Sequence, residues 1–181
     1  MKRLFLLFGC FVLLAAVSPR VRAAELGEEA ERMIECVLAL DEEGGRAAEG
    51  EVKWDELCLL SRALFALTGN RSFEDEWRLC LGEVILNRVA SPEFPDTLAE
   101  VIAADSAYCG VVPGYFEAIR PERSCAECAY RLLAGERVMD DPLVVWQNCH
   151  YYDGGVAKAM YDYRAGALYF CRSARKELYR G

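Results

Sequence analysis

The side chains best suited to proton transfer are Glu74, Asp75 and Glu76, with Glu83 two helical turns further on and on the same face as Glu76. Neighbouring carboxylates can act as general acid and general base. They also have a plainer reading: acidic groups in the first turn of a helix complement its positive end, and Glu83 is then surface charge. Cys125-Ala126-Glu127-Cys128 places two thiols at metal-ligand spacing, and Cys149 and His150 could complete a four-ligand zinc site. Structural zinc usually brings a second close cysteine pair, which this chain lacks. The favoured reading is two cysteines on one helical turn facing the core, with no metal and no cofactor. His150 is the one histidine and could serve as base to a thiol, but nothing marks which cysteine that would be.

Helices must position most of these groups. Leu26, Ala30, Met33, Ile34, Val37 and Leu38 recur at the spacing of one helical face. The acidic stretch from Asp41 to Lys53, with Gly44, Gly45 and Gly50, reads as a solvated linker. Asp55 can cap a second helix carrying Leu57, Leu60, Ala63, Leu64 and Leu67, which Gly69 and Asn70 end. A third runs from about Phe73 to Val89, burying Trp77, Cys80, Leu81, Val84 and Ile85, and closes at Ser91, Pro92 and Pro95. Leu98, Val101 and Ile102 suggest a short fourth helix. After an irregular stretch from Gly110 to Pro121, Ser124 could cap a fifth that ends at Gly135. Leu143 to Trp146 and Ala167 to Phe170 are rich in branched and aromatic residues and read as strands. The expected fold class is mainly α (α+β), a helical domain with a small C-terminal sheet and an extra helix before it.

Lys2 and Arg3 precede an apolar run from Leu4 to Val17, and Val21, Arg22 and Ala23 offer compact residues before a cut. Residues 1–23 therefore read as a secretion signal. An uncleaved membrane anchor and a lipid anchor at Cys10 are the alternatives weighed. Without the signal, 17 Lys and Arg face 29 Asp and Glu, a net charge of −12. So acidic a chain is not expected to bind nucleic acid or to insert stably in a membrane after cleavage. Eight cysteines remain, from Cys36 to Cys171. An exported chain permits their pairing, so a disulfide-braced structural module is a further reading.

The most specific stretch is Gly82-Glu83-Val84-Ile85-Leu86-Asn87-Arg88-Val89, then Ser91-Pro92-Glu93-Phe94-Pro95-Asp96-Thr97 and Glu100-Val101-Ile102. It resembles the SleB/CwlJ cell wall hydrolase family, in which a helix ending Val-Ile-Leu-Asn-Arg-Val leads through a Phe-Pro-x-Thr turn to a Val-Ile helix. Leu59 to Phe65 is similar to the family's first motif helix, and weaker likeness reaches Cys171. The resemblance covers about residues 55–172, preceded by the helix and linker at 24–50 and followed by a tail at 173–181. It implies a lysozyme-like fold and cleavage of peptidoglycan glycan strands, in spore cortex or vegetative wall.

Glycoside cleavage needs a carboxylic acid beside the leaving oxygen. The resemblance puts the family's acid at the end of that first helix, where this chain has Leu67. An alkyl group cannot give a proton. The loop from Gly69 to Phe73 lets the alignment slide, so Glu76, Glu74 and Glu83 are the candidate stand-ins. The expected function is that of an exported cell wall hydrolase acting on peptidoglycan. The alternative is a catalytically degenerate relative that binds peptidoglycan or a wall protein uncut. Asn87 and Arg88 are expected to tie the third helix to the next turn. Tyr151, Tyr152, Tyr161, Tyr163 and Tyr169 suit stacking on sugar rings or a small core equally.

Overall fold

The computed structural model describes residues 26–69, 71, 73–110 and 113–179; the expected signal, with Cys10, lies outside the described residues. Among the described residues eight helices precede a three-stranded sheet. Helix α1 (Glu28–Ala39) buries Ala30, Met33, Ile34, Cys36 and Val37, the face its periodicity marks. Leu40, in the left-handed region at φ 59°, stops it. The stretch expected as a loop contains a short helix, α2 (Glu42–Ala47), because the Asp41 carboxylate caps it by accepting the Gly44 N–H at 3.0 Å. Gly45 is required there. A Cβ at this position would stand 2.2 Å from the buried Trp54 ring.

Helices α3 (Trp54–Thr68), α4 (Asp75–Val89) and α8 (Arg123–Leu133) make the core. Leu57, Leu60 and Leu64 of α3, Val84 and Ile85 of α4, and Cys125, Cys128 and Leu132 of α8 are fully buried. The short helices α5 (Leu98–Ala103), α6 (Ser106–Cys109) and α7 (Tyr115–Ala118) link α4 to α8. Neither α6 nor α7 shows in the periodicity, since each is a single turn. Glu122 holds the N-cap position of α8, two residues before the expected Ser124.

Strands β1 (Val144–Asn148), β2 (Val156–Asp162) and β3 (Gly166–Arg172) form an antiparallel sheet in the order β1-β3-β2. Trp146 stands opposite Cys171 and Asn148 opposite Tyr169, while Met160 faces Leu168. β2 escapes the sequence because it is an edge strand with no fully buried position, and Lys158 and two alanines break its apolar alternation. Gly154, before β2, lies where a Cβ would fall 1.8 Å from the Arg172 carbonyl oxygen, so only glycine lets that turn pass the end of β3. Residues 173–179 are tied into the domain by side-chain hydrogen bonds. Glu93 accepts hydrogen bonds from the Ser173 hydroxyl and, at 2.8 Å, from the Tyr179 hydroxyl. These pin the 3-10 turn Lys176–Tyr179 to the segment after α4.

Helix α4 is buried on nearly every side, Arg78, Glu83, Asn87 and Arg88 included. Buried polar groups must find partners. Glu83, at 0% exposure, accepts the backbone N–H groups of Val138, Met139 and Asp140 at 2.8, 3.0 and 2.8 Å. It is core structure, not surface charge, and it clasps the loop that delivers the chain from α8 to β1. Glu83→Ala is expected to lower stability by about 3 kcal/mol, because it removes the shared acceptor of three half-buried N–H groups and leaves a cavity where the Glu83 side chain was. Urea unfolding checks this: an unchanged midpoint would show that the clasp contributes nothing.

Candidate functional site

A cleft of about 540 Å³ opens between the α3–α4 side of the domain and the sheet. Its apolar wall is Leu67 at the end of α3, Phe73 before α4, Trp77 and Leu81 on α4, and Leu168 on β3. Its polar side is Arg88, Asp105, Gln147, Asn148 and Cys149, with Trp146 and Tyr152 beside them. An apolar wall facing a few fixed polar groups is the usual composition of a small-ligand site.

Arg88 organises the polar side. It is 5% exposed. Its Nε donates to the Val145 carbonyl of β1 at 2.8 Å, and its Nη1 donates to Asp105 Oδ2 at 2.9 Å and to the Tyr108 hydroxyl at 2.8 Å. The guanidinium carbon also lies 5.1, 5.3 and 5.6 Å from the ring centroids of Phe94, Trp146 and Tyr108, within cation–π range. Burial pushes the Tyr108 phenol up to about 12, against the lowering effect of the Arg88 charge. Asn87, the preceding residue, donates to the carbonyls of Asp141 and Val144 at 3.0 Å each. Asn87 and Arg88 therefore fasten α4 to β1, more than fifty residues on, rather than to the turn that follows the helix.

Further hydrogen bonds extend from this centre. Gln147 Nε2 donates to the Tyr108 hydroxyl at 3.3 Å, and Asn148 Nδ2 donates to the Tyr152 hydroxyl at 3.2 Å. Trp146 and Tyr152 stack with centroids 4.9 Å apart and planes 19° apart. The cleft is thus lined by a stacked aromatic pair beside two oriented amides. That arrangement suits a ring with one apolar face and a rim of hydroxyl or amide groups.

Leu67, the position where the resemblance expects an acid, stands in the cleft wall. Glu74, Glu76 and Glu83 are not among the residues that line it. Glu83 is spent on the loop clasp. Glu76 is exposed and paired with Lys158 of β2, and with Glu74 it borders a separate hollow that also contains Phe73 and Trp77. Asp105 is the acidic side chain among the described residues lining the cleft. Both its oxygens are engaged, Oδ2 by Arg88 and Oδ1 by the Ala107 N–H at 2.9 Å. No sequence pattern singles out Asp105, Gln147 or Asn148, whereas Tyr152 belongs to the aromatic set of the C-terminal third.

The thiols and the imidazole are not gathered into one site. Cys125 and Cys128 lie in the core, while Cys149 and His150 are exposed after β1, with Sγ 3.9 Å from Nδ1. Among the described residues no group of three His, Cys, Asp or Glu is placed to hold a metal ion. No helix among them is long and apolar enough to cross a membrane.

Residues 74–179 match a family model described as Cell Wall Hydrolase. The match begins just beyond α3 and runs through the C-terminal turn that Glu93 holds. No curated protein and no solved structure matches the chain.

Arg88→Lys keeps the charge but loses the planar fork that reaches β1, Asp105 and Tyr108 together. It is expected to cost about 2 kcal/mol of stability and to disturb tryptophan emission through Trp146. Chemical unfolding followed by fluorescence reads both, and an unchanged stability would refute the organising role of the fork.

Proposed function

The chain belongs to the cell wall hydrolase family, and on that premise we propose that it is an exported protein whose cleft holds peptidoglycan glycan strands without cutting them. Leu67 carries this reading. A glycosidase needs a proton donor at the scissile oxygen, and the side chain presented at the expected position is an isobutyl group. Asp105 is a poor substitute, since one oxygen faces a guanidinium and the other a backbone N–H. Binding asks for less. The Trp146 and Tyr152 rings line the cleft with aromatic surface, and the Gln147 and Asn148 amide nitrogens, which each donate one bond within the protein, suit hydroxyl and acetamido groups. The family and the signal-like N-terminus support a place outside the cell or in the wall.

Turnover by a displaced acid is the second reading. Glu74 and Glu76 favour it because their hollow shares Phe73 and Trp77 with the cleft.

The test uses residues 24–181 and dye-labelled insoluble peptidoglycan. Retention on the sediment without dye release is expected, and Trp146→Ala should weaken retention about tenfold, the loss of roughly one stacking contact. Dye release abolished by Glu76→Gln or Glu74→Gln would establish the displaced acid instead. Failure to sediment with peptidoglycan would overturn both readings.

A further inference from the structure

We propose that the cleft is the middle of a longer groove, and that its ligand is a glycan chain of at least four sugars rather than a single disaccharide. This rests on the glycan-binding reading above and specifies the length of strand it takes. Two more hollows adjoin the cleft, each across a pair of aromatic rings. On one side lies a hollow of about 480 Å³ between the start of α4 and β2, which shares Phe73 and Trp77 with the cleft. On the other lies one of about 340 Å³, which shares Trp146 and Tyr152. Both shared pairs are stacked, with centroids 5.0 and 4.9 Å apart and planes 23° and 19° apart.

The repetition is what points to a polymer. Each hollow falls within the range of about 300–1,000 Å³ that holds one small ligand. A disaccharide in the middle would leave both outer hollows empty, whereas a strand repeats its apolar ring faces and polar rims along its length. The outer hollows supply matching groups. The first carries Tyr161, 75% exposed, with Lys158 and Asp162; the second carries Asp153 and Arg175.

Each outer hollow is also held in shape. The Lys158–Glu76 ion pair joins β2 to the first turn of α4 across the first hollow. Glu93, with its side chain 8% exposed, binds the hydroxyls of Ser173 and Tyr179 on either side of Arg175, so the C-terminal segment becomes a wall of the second. On this account Glu76 is a wall residue of the groove, and the last residues of the domain are part of its binding surface.

The experiment measures affinity of residues 24–181 for glycan chains freed from stem peptides by amidase, shortened by partial muramidase digestion and sorted into one, two and three disaccharide units. Affinity is expected to rise at least tenfold from one unit to three. Tyr161→Ala and Arg175→Ala, both at exposed positions, should each weaken binding of the three-unit chain several-fold and leave the one-unit affinity unchanged. Equal affinity at all lengths, with both variants silent, would overturn the long groove and leave the glycan-binding reading standing. Absence of binding at every length would overturn both.

Discussion

A guanidinium only 5% exposed cannot be left unpaired, because the desolvation of an isolated buried charge exceeds the stability of a whole domain. Arg88 meets this constraint by drawing two separate parts of the chain to itself: β1 through the Val145 carbonyl, and α6 through Asp105 at its start and the buried Tyr108 hydroxyl within it. The cleft is what those parts enclose. Its polar side consists of Arg88, the carboxylate paired with it, and the strand residues that follow Val145. The rings of Phe94 and Trp146 close over the guanidinium face, so the same charge that fixes the backbone also fixes the platform on which a sugar would stack.

Arg88 is one of several such groups on α4. Glu83 holds the loop of residues 138–140, and Asn87 holds the carbonyls of Asp141 and Val144. One helix therefore sets the path of the chain from the end of α8 into the sheet by presenting an anion to N–H groups and donors to carbonyls. A helix buried on all sides would ordinarily be apolar. Here its polar residues substitute for the missing secondary structure of the segment between α8 and β1. The family match, which starts at α4 and ends at the C-terminal turn, spans the unit these contacts tie together.

What the sequence made legible follows from the range of the physics involved. Helices α1, α3, α4 and α8 show in their apolar spacing, and α1, α3 and α8 make their main contacts on the faces that spacing marks, whereas α4 is buried well beyond its marked face. α2 was missed because two glycines and a run of acids look like a loop until Trp54 is seen packed on Gly45. β2 was missed because an edge strand buries little. Leu67 is singled out by the resemblance alone, since no local property of a leucine near a helix end marks it as a position where an acid is expected. The burial of Glu83 and the clamp between Arg88 and Asp105 depend on partners that only the fold brings near. Charge patterning therefore suggested surface for a residue that lies in the core.

On the proposed glycan-binding reading, Leu67 in the cleft wall is the feature that sets binding apart from turnover. The most direct test counts new glycan ends, by labelling and mass spectrometry, after peptidoglycan is held with a stoichiometric amount of residues 24–181, so that even one slow turnover per molecule is seen. No new ends from the natural sequence, in a preparation that remains bound to the polymer, is the predicted result. New ends formed in proportion to the protein added would contradict the account.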